Sequence, residues 1–176
     1  MVKLIYLTAF FLLSSFSSDY NFNYRKLKFN DFREVLSLGD AVALSSTGIS
    51  FDYEIRGENV KYFVEAKFYP RDSYIVKGHF NKNVLSHEQR HFDITKIYAD
   101  ILLYKLNKVK GSSEKLIQSV YANVTEEWDY VQELYDSETD HSRNELNQKE
   151  WDEILNNALN KDYLYLENKL GRKINF

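Results

Sequence analysis

Residues 49–68, ISFDYEIRGENVKYFVEAKF, read as two strands and the turn that joins them. Ile49, Phe51, Tyr53 and Ile55 alternate with Ser50, Asp52 and Glu54. Beyond Arg56-Gly57-Glu58-Asn59, the residues Val60, Tyr62, Val64, Ala66 and Phe68 alternate again with mostly polar partners. A period of two puts these apolar side chains on one face of an antiparallel hairpin, which leaves that face in need of a core. Pro70 has no N–H for a ladder and ends the second arm. Residues 26–29 before the hairpin and 74–76 after it read as further short strands, so the first half is an antiparallel sheet.

From Asn83 onward the apolar spacing becomes that of a helix. A first helix is predicted from Ser86, with Gln89 reaching back to complete a capping box, to Gly111, with Ile94, Ile97, Tyr98, Ile101, Leu102, Leu106 and Val109 on its apolar side. A second starts near Glu114 and turns Leu116, Ile117, Val120, Tyr121, Val124, Trp128, Val131 and Leu134 inward. A third covers residues 143–170, with Leu146, Trp151, Ile154, Leu155, Ala158 and Leu159 as its stripe. The polar residues 135–141 read as a break between the last two, with Asp136, Ser137 and Ser142 as helix caps. Strands followed by helices, without βαβ alternation, predict a single α+β domain over residues 19–176, an N-terminal antiparallel sheet packed on C-terminal helices.

Residues 1–18 are set apart: Lys3, the apolar run LIYLTAFFLL at 4–13, then a serine-rich segment. That is the pattern of a signal peptide, cleaved near Ser17 or Ser18, and the run is half of the roughly 20 residues a spanning helix needs. The expected mature chain is exported, periplasmic or secreted, with no stable membrane insertion. With 23 basic and 26 acidic side chains the net charge is -3, which argues against nucleic acid as a partner. The chain has no cysteine, so any metal must be held by His, Asp or Glu.

The chemistry gathers in His87-Glu88-Gln89-Arg90-His91-Phe92-Asp93. Two histidines four apart share a helix face and can bind one ion, and neutral imidazole suits Zn2+. Glu88, about 100° round from His87, reaches past the ion to the water on it, the position of a general base. A catalytic zinc site takes a third protein ligand and keeps a fourth position open. His141 is the leading candidate for that third ligand, with Glu138 and Glu127 as alternatives, while His79 reads as a loop residue. Tyr135 is a candidate oxyanion donor, Tyr98 a candidate for the floor of the site, and Asp136, Glu138 or Asp140 a candidate acceptor for the free N–H of a ligating histidine. Asp93 faces away from the ligand side, Arg90 reads as a cation near the site or on a solvated face, and the edge at residues 74–77 as a place for an extended peptide.

HEQRHFD, followed by YDSETDH at 135–141 and by Gln148 and Trp151, resembles a bacterial family called domain of unknown function 922, described as exported zinc-dependent peptidases. The likeness extends to Lys28-Phe29-Asn30-Asp31-Phe32 and to Ser73-Tyr74. Arg90 stands where the family has glycine, and Phe29 where it tends to have tryptophan. The resemblance implies His87 and His91 as metal ligands, Glu88 as catalytic base and His141 as third ligand. The expectation is therefore a zincin-like metallohydrolase acting on a peptide or protein substrate. The alternative is an envelope or polymer-binding domain that holds zinc without catalysis.

Overall fold

The computed structural model describes residues 22–57, 59–79, 81–109 and 113–174. The proposed signal segment lies outside them, as does Gly111, where the first helix was expected to close. Among the described residues no helix is long and apolar enough to cross a membrane.

The order of elements is that of an α+β domain. Strands β1 (Phe22–Asn23), β2 (Arg33–Val35), β3 (Ala43–Leu44), β4 (Thr47–Arg56), β5 (Asn59–Phe68) and β6 (Tyr74–Val76) come first. Helices α1 (Lys82–Lys108), α2 (Glu114–Thr139), α3 (Glu145–Leu159) and α4 (Leu164–Leu170) follow. β4 and β5 form the expected hairpin, with Ile49 opposite Ala66, Phe51 opposite Val64 and Tyr53 opposite Tyr62. Its turn is tighter than the four residues suggested, because Arg56 still pairs with Asn59 and Gly57 takes the left-handed backbone (φ 63°) that a two-residue loop demands.

There are two small sheets in place of one antiparallel sheet. β1-β5-β4 is antiparallel, whereas in β2-β6-β3 the β2 strand runs parallel to β6 and β3 antiparallel to it. Residues 26–28 are not a strand, and Phe29–Asp31 form a 3-10 turn. β6 is the central strand of its sheet, so the free edges belong to β2 and β3 and not to residues 74–77.

α1 begins four residues earlier than Ser86, at Lys82. The side chain of Asn81 accepts hydrogen bonds from the N–H groups of Asn83 and Val84 and so satisfies two of the donors a helix start leaves unpaired. At 27 residues the helix is about 40 Å long. Its second half is core: Ile94, Ile97, Tyr98, Ile101, Leu102 and Leu106 are buried against β4 and β5 on one side and α2 on the other. Each such side chain contributes about 1.5–3 kcal/mol through the apolar area it removes from water. Leu116 and Leu146, expected on inward stripes, are exposed. The third helix is two, split at residues 160–163 by a left-handed Lys161, and α3 is capped by Asn144 and not by Ser142.

Candidate metal centre

α1 and α2 lie side by side, and the centre forms where the first turns of α1 meet the last turns of α2. α2 does not break at residue 135. Tyr135 and Thr139 are buried, and the Thr139 hydroxyl donates to the Tyr135 carbonyl at 2.7 Å, so the helix carries through Asp136 to Thr139. Asp136 is thereby held on a helix face that looks at His87 and His91.

Asp136 Oδ1 stands 3.0 Å from His87 Nε2 and 3.0 Å from His91 Nε2, and the two nitrogens are 3.2 Å apart. Ligand atoms about 2.0–2.1 Å from a tetrahedral ion stand about 3.3 Å from one another, so this triangle has the dimensions of three ligands to one metal. These residues form the group among the described ones that could hold an ion, and its ligand atoms all lie within 4.8 Å of one another.

The tautomers agree. His87 Nδ1 lies 3.1 Å from Gln148 Oε1 and His91 Nδ1 lies 2.6 Å from Gln132 Oε1. Both amides have their orientation fixed by other bonds. Gln148 Oε1 also accepts from the Tyr135 hydroxyl (2.8 Å) while its Nε2 donates to Asp152, and Gln132 Nε2 donates to the His91 carbonyl and to Thr95 Oγ1. Each Nδ1 must then carry the proton, which leaves each Nε2 lone pair for a metal. Without a metal, a proton on His91 fills the same space. Burial would pull the His91 imidazole down, but the hydrogen bond and charge of Asp136, with the charge of Glu88 and the bond to Gln132, push it up to about 9. Burial would raise Asp136, yet the two imidazoles hold its carboxyl well below the usual carboxylate range.

Glu88 is 4 % exposed and lines the same cavity, and its Oε2 has no hydrogen-bond partner. A buried carboxylate oxygen left without a donor is costly unless something else meets it there. The cavity has a volume of about 520 Å³ and runs between β3 and α2. Trp128, expected in the core, forms part of its wall, its indole N–H donating to Thr95 Oγ1 at 3.1 Å.

The remaining residues named from the sequence are placed as follows. His141 is exposed at the cavity mouth, its Nδ1 3.4 Å from Asp136 Oδ1, and it is not part of the three-ligand group. Glu138 points to the other side of α2, where its Oε2 accepts from Trp151 Nε1 at 2.8 Å and pairs with Lys169 at 2.7 Å. Glu127 is outside the group as well, its charge acting on the Tyr98 phenol in the core. Tyr135 is fully buried, stacked on His87 with ring centroids 4.7 Å apart, and its hydroxyl is spent on Gln148 and not turned to the cavity. Tyr98 likewise lies in the core and not at the floor of the site. His79 is exposed in the turn before α1 and Asp140 pairs with Arg143, so neither supports a ligand.

Asp93 does face away from the ligands, and it anchors α1 from behind. It accepts from Tyr24 (2.8 Å), Gln89 (2.8 Å) and Arg90 (2.7 Å), while Arg90 also reaches Asp152 (2.7 Å) and Asn156 (2.9 Å) on α3. Arg90 is therefore a buried tie between helices and not a solvated cation. Gln132 had no signal beyond its position one turn before Asp136.

No family model, curated protein or solved structure matches this chain.

Proposed function

We propose that this protein is an exported zinc-dependent hydrolase of zincin type whose substrates are peptides. The observation that carries the reading is the triangle of His87 Nε2, His91 Nε2 and Asp136 Oδ1, 3.0–3.2 Å on a side, beside a buried Glu88 oxygen with no partner. Two imidazoles and one carboxylate form a neutral-nitrogen and oxygen donor set that suits zinc and leaves a position open to the cavity. Asp136 then takes the place that the family resemblance gives to His141. Zinc bound there supplies Lewis-acid polarisation and lowers the pKa of a bound water toward 7.

The chain's own residues do the rest. Gln132 and Gln148 hold the two imidazoles in the metal-binding tautomer. The Glu88 carboxylate accepts the proton of the attacking water and returns it to the leaving amine. β3, the edge strand that lines the cavity, offers a place for an extended substrate: Val42 gives its carbonyl to Val76 N–H, so by the two-residue period Ala43 turns its N–H and C=O away from β6. Residues 1–18 supply export, and the likeness of HEQRHFD and YDSETDH to the family of exported peptidases supports the same reading.

The test is metal analysis together with hydrolysis of a mixed peptide library by the mature chain and by His91→Ala and Glu88→Gln. The expected result is one zinc per chain, lost in His91→Ala and kept in Glu88→Gln, with hydrolysis at least about a hundredfold slower in Glu88→Gln. A folded protein that takes up no zinc overturns the reading, and zinc without hydrolysis of any peptide leaves the non-catalytic alternative.

A further inference from the structure

We infer that His141 stands on the substrate side of the centre, outside the ligand set, and that its imidazole N–H meets the oxygen of the reacting carbonyl. This rests on the hydrolase reading above and deepens it.

The backbone gives the first reason. α4 ends on a single left-handed residue, and it is Gly171, the residue that takes this conformation without strain. α2 ends on three in succession, Asp140 (φ 47°), His141 (φ 49°) and Ser142 (φ 76°), none of them glycine. The turn is held at both ends, by Asn144 N–H to the Thr139 carbonyl (2.8 Å) and by Arg143 Nη2 to the Asp40 carbonyl across the cavity mouth (3.2 Å). Strain that surrounding bonds enforce, where glycine would relieve it, points to side chains whose placement matters.

The second reason is elimination among the nitrogen-bearing side chains that line the cavity. His87 and His91 face the metal position. Trp128 and Gln132 give their N–H groups to Thr95 and to the His91 carbonyl, and Arg143 binds Asp40 and Asp140. His141 remains: only its Nδ1 is drawn to a carboxylate, 3.4 Å from Asp136 Oδ1, and its side chain, 61 % exposed, lines the cavity beside the proposed metal position. The carboxylates that line the cavity with it, Asp72, Glu88, Asp129, Glu133 and Asp136, repel an oxygen that gains negative charge in the transition state, and the one cation in the lining, Arg143, is turned to Asp40 and Asp140.

The experiment uses the zinc-loaded mature chain, with methylphosphonate as a tetrahedral anion probe and imidazole as a neutral ligand of the metal, both titrated by calorimetry. The variants are His141→Gly, which removes the ring and suits the left-handed backbone, and His141→Gln, which returns an N–H. The expected result is zinc and imidazole affinity unchanged in both variants, methylphosphonate about tenfold or more weaker in His141→Gly, and partial recovery in His141→Gln. Zinc affinity that falls with His141→Gly makes His141 a ligand and overturns the inference, as does methylphosphonate binding that does not change. Absence of hydrolysis in the wild type overturns the peptidase reading and with it the reacting carbonyl, while the binding arms still separate a ligand role of His141 from a donor to a bound anion. Absence of zinc from the wild type overturns both.

Discussion

His91 and Gln132 are tied twice: the ring Nδ1 of His91 meets Gln132 Oε1 at 2.6 Å, and Gln132 Nε2 returns to the main-chain carbonyl of His91 at 3.0 Å. The pair fixes both the rotamer and the tautomer of a ligand from the neighbouring helix. Gln132→Ala should fold and should bind zinc about 10–100-fold more weakly, measured by competition with a chelator of known affinity. Unchanged affinity would mean that Gln132 does not set the tautomer.

Asp136 and Glu138 are two residues apart on α2 and face opposite ways, so alanine at each should give different losses. Asp136→Ala should lose the metal. Glu138→Ala should keep it and cost about 1–3 kcal/mol in a urea melt, since the Trp151 indole N–H loses its acceptor while Lys169 keeps only Glu150. Metal loss in Glu138→Ala with metal retained in Asp136→Ala would reverse the assignment.

Behind the centre, Asp93 is fully buried and holds the largely buried Arg90. Asp93→Ala strands a guanidinium in the interior and should cost about 3–5 kcal/mol, more than most single substitutions. Thermal melts of the metal-free protein check this without interference from zinc. A loss below 1 kcal/mol would show that Asp152 and Asn156 alone satisfy Arg90.

The metal-free protein should also depend on pH in a defined sense. The His91 pKa is raised in the fold, from an unfolded value near 6.5 to about 9. Its contribution, on the order of 3 kcal/mol, is fully present below pH 6.5 and fades as pH rises to about 9. Asp136 is shifted the other way and its contribution fades as pH falls through the acid range. Zinc must displace the His91 proton, so affinity should climb with pH up to about 9. Stability of the metal-free form that rises between pH 6.5 and 9 would contradict this pairing.

Much of this was legible in the sequence. The alternation from Ile49 to Phe68 carries its own register, and His87-Glu88-x-x-His91 needs only helical spacing to converge. Asp136 was harder, because Asp136, Ser137, Glu138 and Asp140 in a row look like solvent-facing breakers. What keeps α2 helical there is the burial of Tyr135 and Thr139, a tertiary fact. A run whose i, i+3, i+4 and i+7 positions are Gln132, Tyr135, Asp136 and Thr139 is the helical signal there, outweighed by composition. Arg90 was misjudged for a different reason: Asp152 and Asn156 lie more than sixty positions along the chain, and local spacing says nothing about them.

The three atoms that could hold an ion sit on α1 and α2, two long helices whose contact is fixed by core packing well away from them. The cage therefore exists before anything enters it. Folding sets its size, so any ion would arrive last, with the entropy of ordering three side chains settled during assembly and not at loading. If the chain is exported as proposed above, the site at His87, His91 and Asp136 would form only on the far side of the membrane, after α1 and α2 have met.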